Sequence, residues 1–105
     1  GDFVIKSLSD LLTSSTRLID TCYRIGGDEF AIILINTDIK AARKVGEKLR
    51  KIVENYEFSI NNLKLKITLS IGVASSSETE TTKELVTLAD SRLYYSKDHG
   101  RNQIK

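Results

Sequence analysis

The sequence predicts an α/β fold of the α+β kind, a sandwich in which helices pack on an antiparallel-rich sheet. Two observations predict it. Hydrophobic spacing alternates between helical and strand periods in the order helix, hairpin, helix, hairpin, helix. The changes are punctuated by residues suited to tight turns, Gly26-Gly27-Asp28 and Asn61-Asn62 above all. At 105 residues the chain suits one domain. Surface scaling predicts roughly 6,000 Å² exposed once it is folded.

Val4, Leu8, Leu11 and Leu12 share one helical face, predicting a helix from about Asp2 to Thr13 that the Thr13-Ser14-Ser15-Thr16 cluster ends. From Leu18 to Ile25 the residues Ile19, Tyr23 and Ile25 predict a strand, and Phe30 to Ile35 has the unbroken apolar character of a buried one. Asn36-Thr37-Asp38 offers N-cap oxygens to a helix through Ala42, Val45, Leu49, Ile52 and Val53, ending near Asn55. Phe58 to Ile60 and a strand beginning at Leu63 flank Asn61-Asn62, whose side chains tolerate the positive φ of a two-residue hairpin loop. Leu63, Leu65, Ile67, Leu69, Ile71 and Val73 alternate without interruption and predict one long strand. After a polar loop, Thr81 and Glu84 form a capping-box pattern ahead of Leu85, Leu88, Ala89, Leu93 and Tyr95, and Gly100 suits the left-handed position that closes this last helix.

Composition excludes several function classes. One Cys and one His can make neither an intrachain disulfide nor a Cys/His zinc cage. Sixteen Lys and Arg against fourteen Asp and Glu leave a net charge of +2, which gives no case for nucleic-acid binding. No apolar run approaches the length of a membrane span, and no basic-then-apolar leader opens the chain. The expectation is a cytoplasmic domain without membrane contact of its own. The absence of Met and the start at Gly1-Asp2 suggest a segment excised from a longer chain.

Gly26-Gly27-Asp28-Glu29-Phe30 lies between two predicted strands. Locally it is either an ordinary hairpin turn or a site in which bare glycine backbone admits a nucleotide while Asp28 and Glu29 offer hard oxygen ligands to Mg²⁺. Lys97 and Arg101 lie four apart on or just past the last helix, whose end favours cations in any case, and both can reach one polyphosphate. His99 reads as a solvated loop residue and Cys22 as a small buried hydrophobe. Tyr94 and Tyr95 divide between core and surface and need no cofactor, and Lys64 with Lys66 marks a wet sheet face.

The pentapeptide from Gly26 to Phe30 resembles the name-giving signature of the GGDEF domain of diguanylate cyclases. Its chance frequency from average composition is on the order of 10⁻⁶ per position. Arg17-Leu18-Ile19-Asp20 resembles the family's RxxD motif at its usual offset, and Ile71-Gly72-Val73-Ala74 its SIGVA strand. Ala89-Asp90 with Lys97-Asp98-His99-Gly100-Arg101-Asn102 resembles its closing segment, and Gly1-Asp2 the end of an upstream motif.

The resemblance implies a ferredoxin-like, palm-type fold and synthesis of cyclic di-GMP from two GTP, with Mg²⁺ or Mn²⁺, across a homodimer of facing domains. It implies that Asp28 and Glu29 are catalytic and hold the metal, and that Gly26, Gly27, Lys97 and Arg101 contact the nucleotide. Asp2 would accept from the guanine edge. Arg17, Asp20 and, on the next helix, Lys48 would bind cyclic di-GMP as an inhibitor. Arg and Asp suit that role because a guanidinium forks to guanine O6 and N7 while a carboxylate accepts from N1 and N2. It further implies a sensory or receiver domain on the same parent chain. The 105 residues would be an N-terminally truncated domain, lacking the family's first strand and helix with a metal-binding Asp and a guanine-reading Asn. That strand would lie between the GGDEF hairpin and the strand around Ile67 to Val73, so the isolated chain is expected to be inactive and rearranged or oligomeric. The other class left open is a catalytically inactive module that binds GTP or cyclic di-GMP and regulates a neighbouring domain.

Overall fold

A computed structural model describes residues 2–105 of the chain. The order of elements is α1 (Asp2–Ser14), β1 (Thr21–Gly26), β2 (Glu29–Ile33), α2 (Ile39–Asn55), β3 (Phe58–Ile60), β4 (Leu63–Leu65), a 3₁₀ turn (Ser76–Glu78) and α3 (Thr82–Asp98). The predicted α+β order is therefore observed. The strands form two separate antiparallel hairpins, β1 with β2 and β3 with β4.

Local chemistry explains most boundaries. α1 stops at the Ser/Thr cluster because the hydroxyls take over its last carbonyls: Ser14 and Ser15 Oγ donate to Leu11 O at 3.0 and 2.7 Å, and Thr16 Oγ1 to Leu12 O at 3.2 Å. Asp38 caps α2, its carboxylate accepting from Ala41 N at 2.8 Å. Asn61 and Asn62 both take positive φ, 48° and 69°, as a two-residue hairpin loop requires.

Three strand expectations are corrected. β1 begins at Thr21 rather than Leu18, because Arg17 to Asp20 closes a turn in which Asp20 N donates to Arg17 O at 3.0 Å. β2 ends at Ile33, and it is not a buried strand: Ile33 and Ile35 are 48% and 43% exposed. The long strand predicted from Leu63 to Val73 is a ladder only over Leu63–Leu65, with one parallel bridge between Ile71 and Ile104. A ladder needs a partner as well as alternation, and among the described residues none pairs with 66–70.

The core lies between α1 and α2 beneath the hairpins. Leu8, Leu12, Leu49, Val53 and Phe58 form it, with Cys22, Phe30, Ile32, Ile67 and Leu69 packed against it. Alternation thus places Ile67 and Leu69 inward even without a ladder. Leu63 and Leu65, in the same phase, stay exposed at the hairpin end. The exposed surface totals 7176 Å², above the roughly 6,000 Å² that scaling predicts. Leu18, Ile25, Ile33 and Leu63 are among the apolar side chains left exposed. Cys22 is partly buried as expected, and burial raises its thiol pKa.

At the other end, the chain terminus runs beside 71–73. Ile71 N donates to Gln103 O at 2.9 Å, and Lys105 N returns a bond to Ile71 O at 3.0 Å. Ser96, fully buried in α3, donates its hydroxyl to the same Ile71 carbonyl at 2.9 Å. Gly72 lies so close to α3 that a Cβ there would come within 2.2 Å of Ala89 O and Leu93 N. These contacts fix α3, and with it the cations at its C-terminal end, against the strand segment. Among the described residues no helix is long and apolar enough to cross a membrane.

Candidate functional site

The β1–β2 hairpin presents the first group of predicted residues. Gly26 pairs with Glu29, leaving Gly27-Asp28 as the loop, and the register shifts between Arg24 and Gly26. Gly27 has φ +53°, so the first loop position needs glycine, whereas Gly26 takes no positive φ. A Cβ at either glycine would meet nothing within 4 Å, so this backbone face is open. Arg24 Nε donates to Gly27 O at 2.8 Å and braces the loop. Asp28 stands exposed at the tip, and no hydrogen bond or ion pair engages its carboxylate among the described residues.

Glu29 turns toward α3, where its Oε2 lies 3.6 Å from Lys97 Nζ. A shallow cleft of about 220 Å³ opens there, lined by Glu29, Asp90, Leu93, Tyr94 and Lys97. Two of the predicted residues are thus brought together. Asp90 and Tyr94 were not singled out from sequence as site residues. The signal was their helical spacing with Lys97, which puts all three on one face of α3.

Arg101 does not share that face. α3 ends at Asp98, His99 caps it, and Arg101 follows a left-handed Gly100, so the four-residue spacing from Lys97 is not a helical one. His99 is exposed as expected, but it is also part of an aromatic stack, 3.7 Å from the Tyr95 ring, with Lys105 Nζ 4.5 Å from that ring's centroid. Asp2 opens α1, and its side chain lies outside the described residues, as does Gly1.

A second group gathers where α1 leads into β1. Arg17 grips Asp20 through Nε at 3.0 Å and Nη2 at 2.8 Å, and Nη2 also donates to Ile35 O at 2.8 Å and Thr37 Oγ1 at 2.9 Å. The guanidinium holds the Asp20 carboxyl below its ordinary range, mainly through those side-chain hydrogen bonds. Arg17 Nη1 has no partner among the described residues and the Arg17 side chain is half-exposed, while the Asp20 side chain is almost wholly covered. Lys48 lies exposed on α2 and forms no bond to Arg17 or Asp20; it lines a separate surface groove with Lys44, Glu47, Lys51 and Ile52.

Sequence reasoning also missed a clasp on α3. Arg92 forks onto Glu78, Nη1 to Oε2 at 2.8 Å and Nη2 to Oε1 at 2.9 Å, while Nη1 reaches Val73 O at 2.7 Å. Glu78 also accepts from Ser75 N, completing a true capping box on the 3₁₀ turn. At the predicted box, Thr81 does cap α3, but Glu84 accepts from the Thr81 hydroxyl instead of its backbone N–H. The Arg92 hydrogen bonds lower the Glu78 pKa.

The order of these motifs agrees with one family. The family model described as "Diguanylate cyclase, GGDEF domain" matches residues 1–103. This chain belongs to the GGDEF family. Diguanylate cyclase A of Treponema denticola is 41% identical to this GGDEF chain over an alignment of 105 positions that covers 99% of the chain and 28% of that relative. The chain thus spans less than a third of it. The diguanylate cyclase SiaD of Pseudomonas aeruginosa, solved in complex with its activator SiaC, is 31% identical with a TM-score of 0.90, covering 99% of this chain and 40% of that one. The GGDEF domain of DgcB from Caulobacter crescentus, solved in complex with c-di-GMP, is 27% identical with a TM-score of 0.87, covering 99% and 63%. The α+β architecture is therefore that of GGDEF domains.

Among the described residues no three His, Cys, Asp or Glu side chains converge as a metal cluster. What the GGDEF hairpin offers is one free carboxylate, Asp28, beside one loosely held carboxylate, Glu29. Such a pair fits a partial ligand set for Mg²⁺, which completes its octahedron with water and phosphate oxygens.

Proposed function

We propose that this chain is the larger part of a diguanylate cyclase domain, which condenses two GTP into cyclic di-GMP and releases two pyrophosphates. The observation that carries the reading is the hairpin tip, where Asp28 stands unpaired above an open glycine backbone and Glu29 faces the Lys97 cation. Asp28 and Glu29 would hold Mg²⁺ or Mn²⁺, whose charge neutralises that developing on the reacting phosphate. Asp28 also accepts the proton of the attacking 3′-hydroxyl. Gly26 and Gly27 let the nucleotide lie against the backbone, Lys97 and Arg101 take the polyphosphate, and Asp2 accepts from guanine N1 and N2.

Catalysis joins two such domains, because each 3′-hydroxyl attacks the α-phosphate of the nucleotide held by the other. Arg17 and Asp20 bind the product as an inhibitor, with Lys48 as a secondary contact; the half-exposed Arg17 guanidinium with its unpartnered Nη1 supports this assignment. Chain upstream of Gly1 would complete the nucleotide pocket and supply a strand between the GGDEF hairpin and the segment from Ile67 to Val73, and a sensory or receiver domain would set the activity. The domain works in the cytoplasm.

Chromatographic detection of cyclic di-GMP from GTP and Mg²⁺ tests the reading, on this chain and on one extended upstream, each beside an Asp28→Ala control. Product from the extended chain alone, lost in Asp28→Ala, is the expected result. No product from either chain under activating conditions would replace the cyclase by a nucleotide-binding module that regulates its neighbour.

A further inference from the structure

The connector after α3 holds three successive residues at positive φ: Gly100 at 110°, Arg101 at 62° and Asn102 at 47°. Glycine enters this region freely and Asn tolerates it, but a long L side chain is strained there and normally appears singly. Both ends of the connector are fixed. Arg101 N donates to Ser96 O at 2.9 Å, the helix-closing bond of a Schellman turn, and Gln103 O accepts from Ile71 N at 2.9 Å. A connector that only had to turn could carry Gly or Asn at its centre. It carries instead an exposed arginine whose guanidinium makes no hydrogen bond or ion pair among the described residues.

Asn102 supplies the restraint. Its N–H donates to Ser70 Oγ at 3.2 Å and its Oδ1 accepts from Arg50 Nη1 at 3.0 Å. Its Nδ2 donates to the Glu54 carboxylate, while Arg50 is itself held by Glu47. The neighbouring residue is therefore locked to two turns of α2 and to the strand segment at once. We infer that Asn102 is a positioning residue: it holds the Arg101 backbone left-handed so that the guanidinium emerges beside the same helix end as Lys97, ready for the terminal phosphates of a nucleoside triphosphate. This rests on the polyphosphate reading of Arg101 given above. Strained backbone kept in place by surrounding bonds is a recurrent mark of a functional position.

The test is calorimetric titration of the chain extended upstream, as in the activity assay above, with inorganic tripolyphosphate and Mg²⁺, with thermal unfolding followed in parallel. Arg101→Ala should weaken binding about tenfold, the loss of a charge-assisted contact. Asn102→Ala should weaken it by roughly a third to a half of that on a logarithmic scale, and should have no further effect in the Arg101→Ala background. Arg101→Gly should lose the same affinity while raising the unfolding temperature, because strain is relieved. An Asn102→Ala loss that persists undiminished without Arg101, or no loss at all while Arg101→Ala weakens binding, overturns the positioning role alone. No binding by the unsubstituted chain, or none lost in Arg101→Ala, overturns the polyphosphate reading and this inference with it.

Discussion

Replacing Gly72 by Ala is the most direct probe of how the site is held. The added Cβ would lie 2.2 Å from both Ala89 O and Leu93 N and 2.8 Å from Arg92 C, all backbone atoms of α3. Ordinary contact needs more than 3 Å, so the helix must retreat by about 1 Å or the strand segment must leave it. Either movement disturbs the bond from Ser96 Oγ to Ile71 O and the Arg92 contact to Val73 O. Overpacking of this kind costs about 1 to 3 kcal/mol where side chains can adjust, and backbone against backbone belongs at the upper end. For a chain of this size about 3 kcal/mol lowers the unfolding temperature by roughly 12 to 24 °C. Gly46→Ala is the internal comparison. Its Cβ would meet Ile104 Cδ1 at 2.6 Å, the far end of a flexible side chain, and helix propensity gains about 1 kcal/mol, so the net change should be small. Circular dichroism melting of the two variants beside the parent decides the matter. Equal unfolding temperatures for Gly72→Ala and the parent would refute the close approach of α3 to 71–73.

Other expectations follow from single contacts. Glu78 has its folded pKa lowered below the ordinary 4.5 by Arg92, so its contribution is present above that value and is lost as pH falls through the folded pKa; Glu78→Gln should flatten that part of the acid unfolding curve, measured by urea midpoints against pH. Thr81→Ala removes the N-cap acceptor of Glu84 N and should destabilise the chain by about 1 kcal/mol, read from the same denaturant midpoints. Arg17→Ala should abolish cyclic di-GMP binding in a titration while leaving the far-ultraviolet spectrum unchanged; undiminished affinity would remove the RxxD assignment.

Much of this molecule was legible because its signals are local. The Ser/Thr cluster after Leu12, Asp38 before α2 and the Asn61-Asn62 loop all act on backbone groups within a few residues, and each behaves as its chemistry requires. The strands were less legible because a strand is completed by a neighbour that periodicity does not name. Alternation from Leu63 to Val73 gave the correct inward residues at Ile67 and Leu69 but not their lack of a ladder. Phe30 to Ile35 looked like a strand buried on both faces, yet one face of that hairpin remains uncovered, leaving Ile33 exposed. The Arg92 fork was invisible for a similar reason: Glu78 and Arg92 are fourteen residues apart, and only the packing of α3 against the 3₁₀ turn makes them partners.

The sequence by itself determined the α+β order, the hairpin with its acids and the family, since these depend on residue types at short fixed spacings. Tertiary structure alone decided that Glu29 faces Lys97 across a cleft also lined by Asp90 and Tyr94. It also decided that the left-handed backbone begun at Gly100 continues through Arg101 and Asn102. Those arrangements arise from elements distant in sequence meeting in space. Their geometry is set by which backbone groups approach and bond, as Gly72 against α3 and Asn102 against α2 do here.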